Sequence, residues 1–110
     1  MAFNVTEFGT VAIPQHFEAL YDYSPYHRVQ DGTPYPAVLL TTGENDGRVN
    51  PMQSRKMAAR LQAATGSERP VLLRTSSAGH GIGTSLDERI AEDADVFAFL
   101  FSQIEAEDKN

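Results

Sequence analysis

The 110-residue chain has no cysteine and no tryptophan. Without cysteine there is neither a disulfide framework nor a thiolate metal site. Bases are scarce as well. Nine Lys and Arg stand against fifteen Asp and Glu, for a net charge of -6. That balance excludes nucleic acid or an anionic membrane as the expected partner. No apolar run approaches the ~20 residues a spanning helix needs, and nothing has the layout of a signal peptide. The expected location is therefore cytoplasmic. Internal repeats and low-complexity tracts are also lacking. The length fits one domain, or part of one.

What is present is organised around two apolar stretches, each ending in a polar loop. Ala37 to Leu40 is apolar, followed by Thr41 and Thr42, and is bounded by Pro36 and Gly43. A run of this kind suits a strand of a parallel sheet covered on both faces. Gly43 to Gly47 are turn formers, so the strand ends there and presents Asp46 and Arg48. Asn50 before Pro51 marks a helix start, with the asparagine as N-cap. Met57, Ala58, Leu61 and Ala64 recur at helical spacing, and Gly66 is a natural stop. Val71 to Leu73 opens a second strand, whose loop Ala78 to Gly83 presents His80. Strand, loop, helix, strand is a βαβ crossover with parallel strands. In open α/β sheets chemistry sits beyond the carboxyl ends of the strands. Asp46 and His80 both belong there, within reach of each other.

The flanking segments are simpler. Met1 to Val11 shows no period, with Glu7-Phe8-Gly9 in a loop. Pro14 opens a short helix carrying Phe17, Leu20 and Tyr21, and Ser24-Pro25 ends it. Tyr26 to Pro34 reads as a surface connection. Ser85 with Glu88 forms a capping box for the last helix. Leu86, Ile90, Ala94, Phe97, Phe101 and Ile104 form its expected inward stripe, so heavy burial is expected. Only two strands are expected. A two-stranded parallel sheet has two open edges and little independent stability, as in a piece cut from a larger sheet. His16 and His27 lack metal-ligand spacing. The glycines from Gly79 to Gly83 lack the following strand and acidic residue of a dinucleotide site. The loop from Asp46 to Asn50 has its glycine misplaced for a calcium site. No metal and no cofactor is expected.

The residues Glu7-Phe8-Gly9, Tyr23 to His27, Tyr35-Pro36-Ala37, Asn45 to Pro51 and Ala78 to Gly81 together resemble the C-terminal part of the prolyl oligopeptidase family of serine peptidases. The resemblance covers nearly the whole chain. It implies an α/β fold: a partial α/β-hydrolase unit of short helix, strand, helix, strand and C-terminal helix, with two parallel strands. Residues 1–110 would then be a C-terminal fragment of the catalytic domain. In that family the triad runs Ser, Asp, His along the chain. By the resemblance Asp46 is the triad acid, His80 the general base, and Arg48 a substrate-binding arginine that donates to a peptide carbonyl. The Gly-x-Ser-x-Gly elbow of the nucleophile is absent, and serines 24, 54, 67, 76, 77, 85 and 102 lack its paired glycines. Asn4 stands where proline-cleaving members carry a Trp, so the resemblance does not extend to proline preference. The implied function is part of a serine peptidase acting on short peptides, inactive alone. The expected partners are a peptide in the parent enzyme and a second copy, bound through strand edges and the last helix. The alternative is a non-catalytic self-associating or peptide-binding module on the same scaffold. A half-enzyme completed by a separate serine-bearing chain is a third possibility.

Overall fold

A computed structural model describes residues 5–79 and 84–109. The chain divides into two compact units, Met1–Gln30 and Asp31–Asn110.

The first unit is helical. Helix α1 (Val5–Phe8) is one turn, α2 (Pro14–Tyr23) is the longest, and α3 (Pro25–Arg28) is again one turn. The expected loop at Glu7-Phe8 is thus a helical turn, closed by Gly9 at φ +83°. A Cβ on Gly9 would lie 2.9 Å from the His16 ring, so a side chain there would also force that ring to shift. Pro14 sits in the first turn of α2, as its fixed φ favours. The helix stops at Ser24, which is held extended (φ -69°, ψ 114°) by Pro25 behind it. The stretch after it, expected as a surface connection, begins with α3. Arg28 folds back onto Asp22 at 2.6 Å.

In the second unit β1 (Val38–Gly43) and β2 (Val71–Ser76) pair in parallel, with Val38 opposite Val71 and Gly43 opposite Ser76. Helix α4 (Met52–Ala64) connects them. It begins one residue later than expected: Pro51 takes the capping position, while Asn50 Oδ1 still accepts from the Met52 N–H at 2.9 Å. Ala58, Leu61 and Ala64 of α4 are buried, as is Val71 of β2. The turn at Asp31-Gly32 closes on the far end of α4, where the Gly32 N–H donates to Ala64 O at 2.7 Å.

Two expectations about burial fail. Neither strand is covered on both faces. Every β1 residue keeps some exposure, and Leu72 is 46% exposed. Side chains alternate along a strand, so Leu72, Arg74 and Ser76 share the face opposite Val71 and Leu73. Helix α5 (Leu86–Asp108) lies on the Arg74 side but meets it through polar groups. Arg69 pairs with Glu107 (3.0 Å), Arg74 with Asp95 (2.7 Å), and Ser77 donates to Glu88 (2.5 Å). Strand numbers rise as helix numbers fall, so α5 runs antiparallel to β2. Eight strand residues at ~3.3 Å and nineteen helical residues at ~1.5 Å both span about 27 Å, so the contacts keep in step. The half-buried face of α5 is Glu92, Val96, Phe99 and Gln103. The stripe expected to point inward points outward: Leu86, Ile90, Phe97, Phe101 and Ile104 are all more than half exposed. No residue of α5 is buried.

Candidate active site

The site is built where the two strands end. After β1 the chain turns sharply, with the Asp46 N–H donating to Gly43 O at 3.2 Å. Asp46 Oδ1 then accepts from the backbone N–H groups of Arg48 (2.9 Å) and Val49 (2.8 Å). This side chain to backbone pattern is why Asp suits the position: an amide or hydroxyl offers the N–H groups a weaker acceptor. The carboxylate is half-buried, and its orientation is fixed by the loop it holds.

The second loop is tied to the first. The Glu44 N–H donates to Ser76 O (2.8 Å), and the Asn45 N–H to Ala78 O (3.3 Å). The Asn45 side-chain amide adds a bond to Ser77 O at 2.7 Å. Gly43 makes this approach possible, since a Cβ there would come within 2.2 Å of Ala78 O. The parallel register carries on past the strands, and residues 77–79 run beside residues 43–46. Behind them Ser77 Oγ donates to the Glu88 carboxylate. That bond, helped by the Ser85 backbone and hydroxyl, holds the Glu88 carboxyl below its ordinary value of 4.5, against a smaller opposing effect of desolvation. Ser85 Oγ caps α5 by accepting from the Glu88 N–H at 3.2 Å.

Of the three expected site residues, Asp46 stands at the strand end and Arg48 two residues beyond it, exposed. Among the described residues the Arg48 guanidinium makes no ion pair. His80 lies outside the described residues. A cavity of about 330 Å³ opens between the loops and is lined by Gly43, Asp46, Ser54, Ser76, Gly79 and Glu92. That volume is at the low end for a small-ligand site. Ser54 and Glu92 were not picked out from sequence; each reads there as an ordinary helix-surface residue. Asn45 was missed as well. Its place in a turn was legible, but its partner is a carbonyl from a segment thirty-two residues away.

What the geometry supplies is an oriented carboxylate beside a second loop, at the carboxyl edge of a parallel sheet. Such a group can hold an imidazole in one tautomer and stabilise its cation.

The profile of the prolyl oligopeptidase family matches residues 2–107. The chain is 43% identical over 100 residues to a prolyl endopeptidase of Elizabethkingia meningoseptica, covering 89% of this chain and 14% of that protein. It is 38% identical over 104 residues to a prolyl endopeptidase of Dictyostelium discoideum, covering 91% of this chain and 14% of the relative. Among solved structures it is similar to a prolyl endopeptidase at TM-score 0.85 and 37% identity, over 93% of this chain and 15% of that one. It also resembles prolyl oligopeptidase B from Galerina marginata bound to a 35-residue hydrolysis and macrocyclisation substrate, at TM-score 0.80 and 32% identity, over 93% of this chain and 15% of that one. The chain thus spans about one-seventh of the length of these relatives.

Proposed function

The chain belongs to the prolyl oligopeptidase family, and from that premise we propose that it carries the acid and base of a serine peptidase site without the nucleophile. The observation that carries this is Asp46: a carboxylate locked by two backbone N–H groups at the end of β1, with the loop leading to His80 clamped alongside. In this reading Asp46 orients the His80 imidazole and stabilises its cation. His80 takes the proton from an attacking serine and returns it to the leaving amine. Arg48 donates to a backbone carbonyl of a short peptide substrate. With no serine on an elbow, the chain alone forms no acyl-enzyme.

A fluorophosphonate serine probe tests this directly, with Asp46→Asn and His80→Ala alongside. The expected result is no labelling of any of the three. Labelling of the parent chain that disappears in both variants overturns the proposal. It would mean that a serine within reach of Asp46 has been recruited, and Ser54 in the shared cavity is the first to examine.

A second reading is a peptide-binding or self-associating module that keeps the scaffold without turnover. Its support is the exposed Arg48 guanidinium and the two outer edges of the two-stranded sheet. Peptide binding lost in Arg48→Ala, with no hydrolysis in either protein, would favour it. Self-association belongs to both readings, since neither supplies strands to cover those edges.

A further inference from the structure

We propose that the outward face of α5 is the seam of a two-fold, antiparallel helix pair formed with a second copy of this chain. This deepens the self-association reading above and rests on it; the contact made and its direction are new.

The seam residues are Ile90, Ala94, Phe97, Phe101 and Ile104. Their spacing is four, three, four, three, which is the step of a helix seam that packs knobs into holes against another helix. The same step also serves a helix that packs on a sheet, so what decides is which face of α5 the sheet uses. The face of α5 turned to the sheet is a different one, through Glu92, Val96, Phe99 and Gln103. The seam is therefore not used against the sheet of this chain, and its large members are 57% to 63% exposed. With the neighbouring Leu86 and Leu100, at 71% and 48% exposed, six large side chains offer roughly 600 Å² per copy. Two copies would bury about 1,200 Å², the lower bound for a stable protein interface.

The residues beside the seam choose the direction. On one flank stand Ala91, Ala98 and Glu105; on the other, Asp93, Leu100 and Glu107. In an antiparallel pair each flank meets its own counterpart. Ala98 then lies beside Ala98 of the second copy, and Leu100 beside its own counterpart. Phe97 and Phe101 meet across the dyad. Asp93 faces Glu107 of the second copy, whose charge Arg69 already offsets at 3.0 Å. A parallel pair would instead set Glu105 against Leu100. The pairing is isologous, so it closes as a dimer. Each copy carries a charge of -6. The dimer is therefore strengthened by added salt, the opposite of a complex held by ion pairs.

Sedimentation equilibrium of the full chain at tens of micromolar, at low and high salt, is the test. A dimer that tightens with salt is expected. Phe97→Glu and Phe101→Glu should each give a monomer with unchanged helical circular dichroism. Because the chain has no cysteine, direction can be mapped cleanly. Ala98→Cys should couple to itself through a short thiol crosslinker, and Ala91→Cys should not. A dimer untouched by both glutamate variants overturns the seam while leaving association by sheet edges. A monomer throughout overturns both, and leaves the peptidase assignment, which the serine probe tests separately.

Discussion

At Gly43 two loops meet with no room for a side chain. The Ala78 carbonyl occupies the space a Cβ would take, and backbone cannot swing away as a side chain can. Gly43→Ala should therefore cost about 1–3 kcal/mol and part the loop of Asp46 from the loop of His80. Urea unfolding checks the first; a cost below a few tenths would show that the loops are not so tightly joined. Asn45→Ala removes only the Nδ2 bond to Ser77 O and should cost about 1 kcal/mol. Glu88 offers a pH test. Its folded carboxyl titrates below 4.5, chiefly because Ser77 donates to it. A depressed carboxyl contributes stability that is complete above the unfolded value of 4.5 and is lost as pH falls through the lower folded value. Ser77→Ala should move the Glu88 midpoint up toward 4.5, read by NMR titration of its side chain. An unmoved midpoint would assign the effect to Ser85 instead.

Two serines of the same helix separate capping from mere hydrogen bonding. Ser85 Oγ satisfies an N–H that the first turn of α5 leaves open, so Ser85→Ala should cost about 1 kcal/mol. Ser102 Oγ donates to Phe99 O, a carbonyl in the helix interior. Ser102→Ala should be neutral or stabilise by a few tenths of a kcal/mol, through alanine's propensity. Thermal melts followed at helical wavelengths give both, and equal losses would contradict the distinction. Ser85 with Glu88 was legible in sequence because a capping box is a local pattern. The strands were legible for the same reason: Val38 to Leu40 and Val71 to Leu73 are short apolar runs with turn residues on both sides. Asp46 could be placed at a strand end from the glycines around it. The orientation of α5 could not be read. Periodicity tells which residues share a face, not which face meets the sheet. Hydrophobicity favours the stripe through Phe97 and Phe101, whereas Arg69 and Arg74 of the β2 side draw acidic residues. Those ion pairs are partly exposed and contribute at most about 1 kcal/mol each. What they fix is register, which no local pattern in α5 encodes.

Among its described residues the second unit buries only Ala58, Leu61, Ala64 and Val71, three of them small or of middling size. Hydrophobic burial is the main favourable contribution to folding, and it has to offset the ordering of every residue in the unit. Four such side chains leave little margin, while larger ones lie exposed along α5. The stability of this chain is therefore coupled to whatever covers that face. If the cover is a second copy, folding and dimerisation draw on one equilibrium, and unfolding becomes concentration-dependent. Each tenfold rise in protein concentration adds about 0.7 kcal/mol per protomer, which should raise Tm by roughly 3 °C for a domain of this length. Differential scanning calorimetry across a hundredfold range measures this directly. In Phe97→Glu the dependence should vanish and Tm should settle near the dilute limit of the parent chain. A parent Tm that does not move with concentration would mean that the small core suffices alone, and that the exposed stripe contributes nothing to the stability of the fold.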